Sequence, residues 1–337
     1  MNSHFFMTEY QILIANFTAA LLTKTYFLKV YRHINEFKGC SNAVVTTGTF
    51  DGLHVGHRTI LNRLKEIAKS THGETVVLTF FPHPRMVLFP DNKDLKLIDT
   101  IEERIEFLEK EGIDHLIIHP FSKEFSRLTS LEFVREILVN KIGTKKLVIG
   151  YNHQFGRNRE GSFEHLKEFS TLYGFEVEEI SAKLIDDVDV SSTKIRKAIT
   201  DGDIKTANAY LNRNFTLSGK VNHGNKIGRE IGYPTANLQV EESYKIIPGN
   251  GVYAVIAKVN EKSYHAMLNI GYRPTINSES NINIEVHIFD FNETIYDKFI
   301  KIEFIDRIRD EIKFNSTEEL KNQLHKDKKT ALEMLAQ

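Results

Sequence analysis

The chain has little of several things. Its 337 residues include one cysteine, Cys40. One thiol excludes an intramolecular disulfide and a zinc cluster built on cysteines. It suits a reducing compartment, so a cytoplasmic location is expected. The 19 glycines and 7 prolines are too few for a collagenous or low-complexity chain. No long hydrophobic run is present. Ile12 to Leu22 is the most apolar stretch near the N-terminus, but Asn16 and Thr18 interrupt it, and it is too short to span a bilayer. No Lys or Arg precedes it and Glu9 does, unlike the basic flank of a signal peptide. Residues 1–27 therefore read as an extension, or as the product of an upstream start codon. Charge of one sign is also missing. Lys and Arg number 44 against 45 Asp and Glu, a net charge of −1. That argues against a chain wrapped in nucleic acid, yet allows a local basic pocket for a small anion. Neither nucleic acid nor membrane is expected as a partner, and self-association into a homo-oligomer is left open.

What is present is a globular mixture, 41% hydrophobic and 26% charged. The length suggests two domains at about 150 residues each. From Ala43 to Ile180 the pattern alternates strand and helix. Short apolar runs at Ala43–Thr47, Thr75–Phe81, His115–Ile118, Leu147–Ile149 and Phe175–Ile180 predict five strands. Between them, Ile60/Leu61/Leu64/Ile67/Ala68, Ile101/Ile105/Leu108 and Phe163/Leu166/Phe169 recur at helical spacing, with Gly112 and Gly174 as stops. Thr129 and Glu132 form a capping box before a helix expected to carry Leu131, Val134, Ile137 and Leu138 on one face. Such alternation implies a parallel sheet covered by helices, which binds ligands at the carboxyl ends of its strands. After about residue 212 the pattern changes. Thr216–Val221, Val252–Val259, Ser263–Leu268, Ile282–Phe289 and Lys301–Ile305 are strand-like and separated by turns, which reads as an antiparallel barrel or sandwich. A last helix starts near Thr317. The expected division is an extension over 1–27, an α/β domain over 28–200, a polar, partly helical linker over 201–214 and a β domain over 215–337.

Two segments carry chemistry. The first strand runs into Gly48-Thr49-Phe50-Asp51-Gly52-Leu53-His54-Val55-Gly56-His57, and a helix follows at once. Backbone N–H groups at a helix N-terminus attract anions, and glycines let the backbone approach a phosphate closely. His54 and His57 can donate hydrogen bonds to phosphate oxygens as charge develops. No Gly-Lys-Ser/Thr closes the loop, so it is not a Walker loop. As a metal site the two histidines are a thin ligand set, and no zinc-protease pattern surrounds them. Further on, one of Ser191, Ser192 or Thr193 can cap a helix whose N-terminus faces a phosphate, with Arg196 one turn in.

The string Gly48-x-Phe50-Asp51-Gly52-x-His54-x-Gly56-His57 resembles the adenylyltransferase signature of bacterial bifunctional riboflavin kinase/FAD synthetases, whose histidines belong to the wider HxGH nucleotidyltransferases. Phe80-Phe81-Pro82-His83-Pro84-Arg85, Gly150-Tyr151-Asn152-His153-Gln154-Phe155-Gly156 and Val190-Ser191-Ser192-Thr193-Lys194-Ile195-Arg196 follow in that family's order. In the second half, Gly219-x-Val221-x-x-Gly224-x-x-x-Gly228-Arg229-x-x-Gly232-Tyr233-Pro234-Thr235-Ala236-Asn237 resembles the riboflavin kinase signature. Gly271-Tyr272-Arg273-Pro274-Thr275 and Ile284-Glu285-Val286-His287 also match in order. The resemblance covers residues 28–337 and departs from the family at Phe81, where members often carry an acidic residue; Phe81 is given no polar role.

The resemblance implies a Rossmann-like adenylyltransferase domain followed by a β-barrel kinase domain with a C-terminal helix. It implies riboflavin, FMN, FAD and ATP as substrates and products, with Mg²⁺. His54, His57, Arg196 and Glu285 become the expected catalytic residues, Glu285 as general base. Gly48, Phe50, Asp51, Gly56, Ser191, Ser192, Thr193, Gly224, Lys226 and Gly228 are expected at nucleotide. Asn152, Phe155, His83 and Arg229 are expected at flavin. Thr235 and Asn237 offer hard oxygens to the metal. The alternatives are a nucleotidyltransferase for another small phosphate, against which the second motif argues, and a flavin-binding regulator without catalysis.

Overall fold

The computed structural model describes residues 27–91, 95–151, 153–182, 190–223, 228, 231–273 and 281–336. The first half alternates strands and helices: β1 (Lys29–Tyr31), β2 (Val44–Thr47), α1 (Val55–Ser70), β3 (Thr75–Phe80), α2 (Pro84–Leu88), α3 (Ile101–Lys110) and β4 (His115–His119). Then α4 starts as Ser130–Glu132 and continues in wider π-type turns over Phe133–Ile142, before β5 (Lys146–Gly150), α5 (Phe163–Tyr173) and β6 (Glu176–Ile180). The six strands form one parallel sheet in the order β1-β4-β3-β2-β5-β6. β2, β3 and β4 are buried almost throughout, as expected of strands covered on both faces. The strand order reverses between β2 and β5, so the crevice beyond their carboxyl ends is the switch point where ligands bind in such sheets.

Sequence periodicity anticipates five of these strands and misses β1, a three-residue edge strand that is only half-buried and too short to show a period. The capping box at Thr129 forms, with Thr129 Oγ1 accepting from Glu132 N at 3.2 Å and Glu132 returning to Thr129 N at 2.8 Å. Leu131 is a correction. It is exposed, and the buried face is Phe133, Val134, Ile137, Leu138 and Ile142. Leu131 lies in the tight first turn, whereas the wider turns after it set the buried face.

The helices α6 (Ser192–Asp201) and α7 (Ile204–Leu211) connect the halves. The segment 201–214 is thus largely helical, and Ile204, Ala207 and Leu211 are buried in one cluster with the core of the second half. That half is a closed antiparallel barrel of β7 (Phe215–Asn222), β8 (Ala236–Gln239), β9 (Gly251–Val259), β10 (Lys262–Arg273), β11 (Asn281–Ile288) and β12 (Phe299–Arg309), in the order β10-β11-β8-β7-β12-β9. Helix α8 (Thr317–Leu335) packs against β9, β10 and β12. β8 is a sixth barrel strand where the sequence suggests five: four residues lying inside a turn-like motif give no period. The alternation of β11 is as expected, with Ile284, Val286 and Ile288 buried in the barrel core.

The two halves meet through buried charge. Lys245 Nζ donates to Glu103 at 2.5 Å and to the Ile98 carbonyl at 2.6 Å, while Thr216 Oγ1 donates to the other Glu103 oxygen at 3.1 Å. Arg213 pairs with Asp99 at 2.6 Å and lies over the Phe107 ring. Backbone bonds Leu97 N to Tyr244 O and Ile246 N to Leu97 O, 2.7 and 2.8 Å, add a short strand-like junction.

Candidate active sites

The first site is built on the turn between β2 and α1. Phe50 (φ 48°), Gly52 (φ 89°) and Leu53 (φ 39°) all adopt left-handed backbone. At Gly52 a Cβ would also sit 2.8 Å from Ile98 Cδ1, so only glycine fits. The turn delivers His54 to the N-cap of α1 with extended backbone (φ −71°, ψ 172°) and no side-chain capping bond. The first-turn N–H groups of α1 therefore keep their capacity for an anion. The rings of His54 and His57 stack with centroids 3.8 Å apart, and Phe50 closes against His57 at 5.1 Å. Phe50 itself is buried, and the nearest atom to a Cβ at Gly48 would be its ring, 3.2 Å away. Gly56 is buried in the first turn of α1.

Burial pushes the His54 imidazole down to about 4; Asp51 opposes this and Arg196 adds to it. Burial, then His54 and Arg104, hold His57 well below its ordinary value. Both rings are neutral at pH 7, and the buried Nδ1 of each has no hydrogen-bond partner among the described residues. A neutral imidazole offers one N–H and one lone pair, which suits donation to a phosphoryl oxygen.

The Asp51 carboxylate turns inward. It is fully buried and accepts from Ile98 N at 3.0 Å, Asp99 N at 3.2 Å and Arg196 Nη2 at 2.5 Å. On the other side Arg104 Nη2 lies 3.9 Å away. Arg196 also donates Nε to the Lys96 carbonyl at 2.8 Å. In this arrangement Asp51 and Arg196 hold the turn together. Ser191 is the cap of α6, accepting from Lys194 N at 3.3 Å, and Ser192 Oγ donates to the Asp51 carbonyl at 2.9 Å. The N-terminus of α6 is thereby docked on the histidine turn, with Thr193 exposed there.

His83 caps α2, its Nδ1 accepting from Arg85 N at 3.2 Å. Burial pushes it down to about 4, with Asp51, Arg196 and Arg104 acting on it as well, so it belongs to the same locale. Phe81 packs edge-on against Tyr244 from the second half, centroids 5.4 Å apart. The expected flavin residue Phe155 lies instead in the core. It is buried against Phe133 at 5.7 Å, and a Cβ at Gly161 would touch its ring at 2.6 Å, so it presents no open face. Asn152, Gly224, Lys226, Arg229, Pro274 and Thr275 lie outside the described residues.

The second site opens from a cavity of about 310 Å³ between the barrel and α8. Glu285 on β11 pairs across to Asn237 on β8. Its Oε1 accepts from Asn283 Nδ2 at 2.7 Å and its Oε2 from Thr235 Oγ1 at 3.4 Å. Thr235, Asn237 and Glu285 line one wall together with His287 and Gly228. His287 donates Nδ1–H to the Pro234 carbonyl at 2.8 Å, and burial lowers its pKa. At Gly228 a Cβ would fall 2.2 Å from the Tyr233 carbonyl, which glycine alone permits. The lining also carries apolar side chains, among them Ile231, Val252, Met267, Ile312, Phe314 and Leu324. Arg309 clamps α8 to the barrel through Asp327, Nε–Oδ1 2.9 Å and Nη2–Oδ2 2.7 Å. A hydroxyl, an amide carbonyl and a carboxylate are hard oxygen donors that fit Mg²⁺.

Sequence reasoning misses Arg104, Lys245 and the Arg309–Asp327 clamp. Arg104 leaves a trace. It lies three residues after Ile101 and four before Leu108, a charge on the apolar face of α3.

The FAD synthetase family model matches residues 37–194 and the riboflavin kinase family model residues 211–335. The bifunctional riboflavin kinase/FMN adenylyltransferase of Haemophilus influenzae is 38% identical over 297 residues, 87% of this chain and 94% of that protein. Its Bacillus subtilis counterpart is 37% identical over 295 residues, covering 87% and 92%. A crystal structure described as a macrolide-efflux protein from Streptococcus pneumoniae superposes with a TM-score of 0.83 at 33% identity, covering 90% of this chain and 98% of that one. Among the described residues here, no helix is long and apolar enough to cross a membrane.

Proposed function

The chain belongs to the bifunctional riboflavin kinase/FMN adenylyltransferase family, and from that premise we propose how its own residues divide the two reactions. It is an ATP-dependent enzyme that converts riboflavin to FMN and FMN to FAD. Residues 215–337 carry the kinase and residues 28–200 the adenylyltransferase, with 201–214 joining them.

In the kinase site Glu285 takes the proton from the terminal ribityl hydroxyl as its oxygen attacks the γ-phosphorus of ATP, and ADP leaves. Thr235 and Asn237 hold the Mg²⁺–ATP complex. The metal supplies charge neutralisation on the phosphates. The apolar lining residues take the flavin ring, and Gly228 lets its own backbone approach the phosphates closely. In the adenylyltransferase site a phosphate oxygen of FMN attacks the α-phosphorus of a second ATP, and pyrophosphate leaves. No protein nucleophile is required. The N-terminus of α1 and the N–H groups of His54 and His57 stabilise the developing charge. Asp51 and Arg196 position that turn, and Ser191, Ser192 and Thr193 border the nucleotide from α6.

The observation that carries this division is that a carboxylate, a hydroxyl and an amide converge on the barrel cavity, apart from the imidazole pair at the sheet's switch point. Product analysis with riboflavin, ATP and Mg²⁺ tests it. FMN is expected first and FAD second. His57→Asn is expected to stop at FMN. Glu285→Gln is expected to make neither from riboflavin, yet to make FAD from supplied FMN. Loss of both reactions in either folded variant, or of neither, overturns the assignment.

A further inference from the structure

The amino ends of the sheet strands lie on the side away from the switch point. There the loop before β2 brings Cys40 beside Glu74, just ahead of β3, and His115, the first residue of β4. Cys40 Sγ, a carboxylate oxygen of Glu74 and a ring nitrogen of His115 lie within 4.8 Å of one another. We propose that these three side chains form a binding site for one divalent cation of the zinc class, which clamps the 37–43 loop to the sheet.

Three features carry this. The donor types suit a borderline-soft ion, one sulfur, one nitrogen and one oxygen. As ligands they are thiolate, carboxylate and neutral imidazole, whose summed charge of about −2 cancels that of the cation. Each oriented ligand is also held by an outer contact. Glu74 Oε1 accepts from Ser41 N at 3.0 Å, leaving Oε2 turned to His115 Nε2 at 2.9 Å. His115 Nδ1 meets Tyr31 Oη at 3.1 Å, and the Tyr31 and Phe37 rings flank the imidazole at 5.9 and 5.3 Å. Metal-bound histidines regularly donate their second N–H in this way.

The spacing is close to what a tetrahedral ion dictates. Metal–nitrogen and metal–oxygen bonds of about 2.1 Å put the two atoms roughly 3.4 Å apart, half an ångström beyond the observed 2.9 Å. The sulfur lies within 4.8 Å of both other donors, against the roughly 3.6 Å that a tetrahedral ion sets between sulfur and nitrogen, so it has roughly an ångström to close. His115 is buried while Glu74 and Cys40 are half-buried, which leaves a path for entry. Binding as a thiolate releases the Cys40 proton, and an imidazole that ligates through Nε2 carries its one proton on Nδ1, where the Tyr31 hydroxyl accepts it.

Cobalt(II) titration of the metal-free full-length chain tests this. The expected result is a near-ultraviolet thiolate-to-cobalt band that saturates at one equivalent, survives excess Mg²⁺ and is abolished by Zn²⁺. Cys40→Ser is expected to remove the band while FAD synthesis from riboflavin continues. His115→Gln is expected to weaken binding more than tenfold, and Tyr31→Phe by about tenfold. A chain that gives no thiolate band, or one whose band persists in Cys40→Ser, overturns the site. Should Cys40→Ser fail to fold, cobalt affinity unchanged in both His115→Gln and Tyr31→Phe overturns it equally. These readouts are independent of catalysis in either domain.

Discussion

Asp51→Asn is the substitution that most directly probes how the histidine turn is held. The carboxylate sits between two guanidinium groups, 2.5 Å from Arg196 and 3.9 Å from Arg104, and also accepts from two backbone N–H groups. Arg104 is 1% exposed, and its Nε and Nη2 have no hydrogen-bond partner among the described residues. Asparagine keeps one acceptor oxygen for the amides of Ile98 and Asp99, but its NH₂ group must then face a guanidinium. Breaking a buried pair by removing one partner costs about 3–5 kcal/mol. The surviving acceptor puts the expected loss near the low end, about 3 kcal/mol. For a domain of this size that lowers the thermal midpoint of the first half by roughly 6–12 °C. Loosening the turn also shifts His54 and His57, and displacements of about 1 Å at a reacting centre cost on the order of a hundredfold in rate. Urea unfolding, together with chromatography of FMN and FAD, reads both effects. FAD formation from FMN is expected to fall about a hundredfold while FMN formation holds, because Glu285 lies in the barrel. A variant within about 1 kcal/mol of the parent that makes FAD at the parent rate would refute the reasoning.

Lys245→Met leaves the Glu103 carboxylate buried without its cation, with Thr216 Oγ1 and Thr100 N as its partners among the described residues, at a cost of about 3–5 kcal/mol. Calorimetry is expected to resolve two transitions, and a single one at the parent temperature contradicts this. Gly219→Ala places a Cβ 2.4 Å from the Gln239 carbonyl, so β8 and its Asn237 must shift. FMN formation is expected to drop while FAD synthesis from supplied FMN persists, and an unchanged kinase rate counts against the Asn237 role. His54, His83 and His119 are all pushed by burial to about 4, below the 6.5 of an unfolded histidine. The unfolded chain binds more protons below pH 6.5, so stability is full above that pH and falls as the pH drops toward 4, by on the order of 2 kcal/mol per histidine at pH 5. The urea midpoint is expected to fall between pH 7 and 5, with a shallower slope in His119→Gln; equal slopes contradict the burial argument.

How far the sequence reveals this molecule depends on the range of the interaction. Gly112 and Gly174, both left-handed just past α3 and α5, and the capping box at Thr129 act within a turn, so they are legible. Long strands such as β9 show themselves by composition, whereas β1 and β8 are short and exist through their neighbours. The partners of Arg196 are a different matter. Spacing alone suggests a phosphate contact, yet the guanidinium reaches Asp51, 145 residues away. Phe155 reads as a flavin contact by its motif, but folding packs it against Phe133. Motif order identifies the chemistry without saying which side chains face the ligand and which hold those that do.

Ile98 is where the two kinds of role meet. Its N–H donates to Asp51 beneath the histidine turn, its carbonyl accepts from Lys245 of the second half, and its side chain is buried with the barrel core. One peptide segment thus supports the adenylyltransferase turn and anchors the kinase domain. If that support is shared, Asp51→Asn and Lys245→Met must not act independently, because groups in one hydrogen-bonded network couple by about 0.5–3 kcal/mol while distant sites add within about 0.5. The double variant is therefore expected to be destabilised by less than the summed single effects, since either change alone already frees the 98–99 segment. Strict additivity in urea unfolding would mean that the turn and the domain junction are held separately, with Ile98 bridging them in space but not in energy.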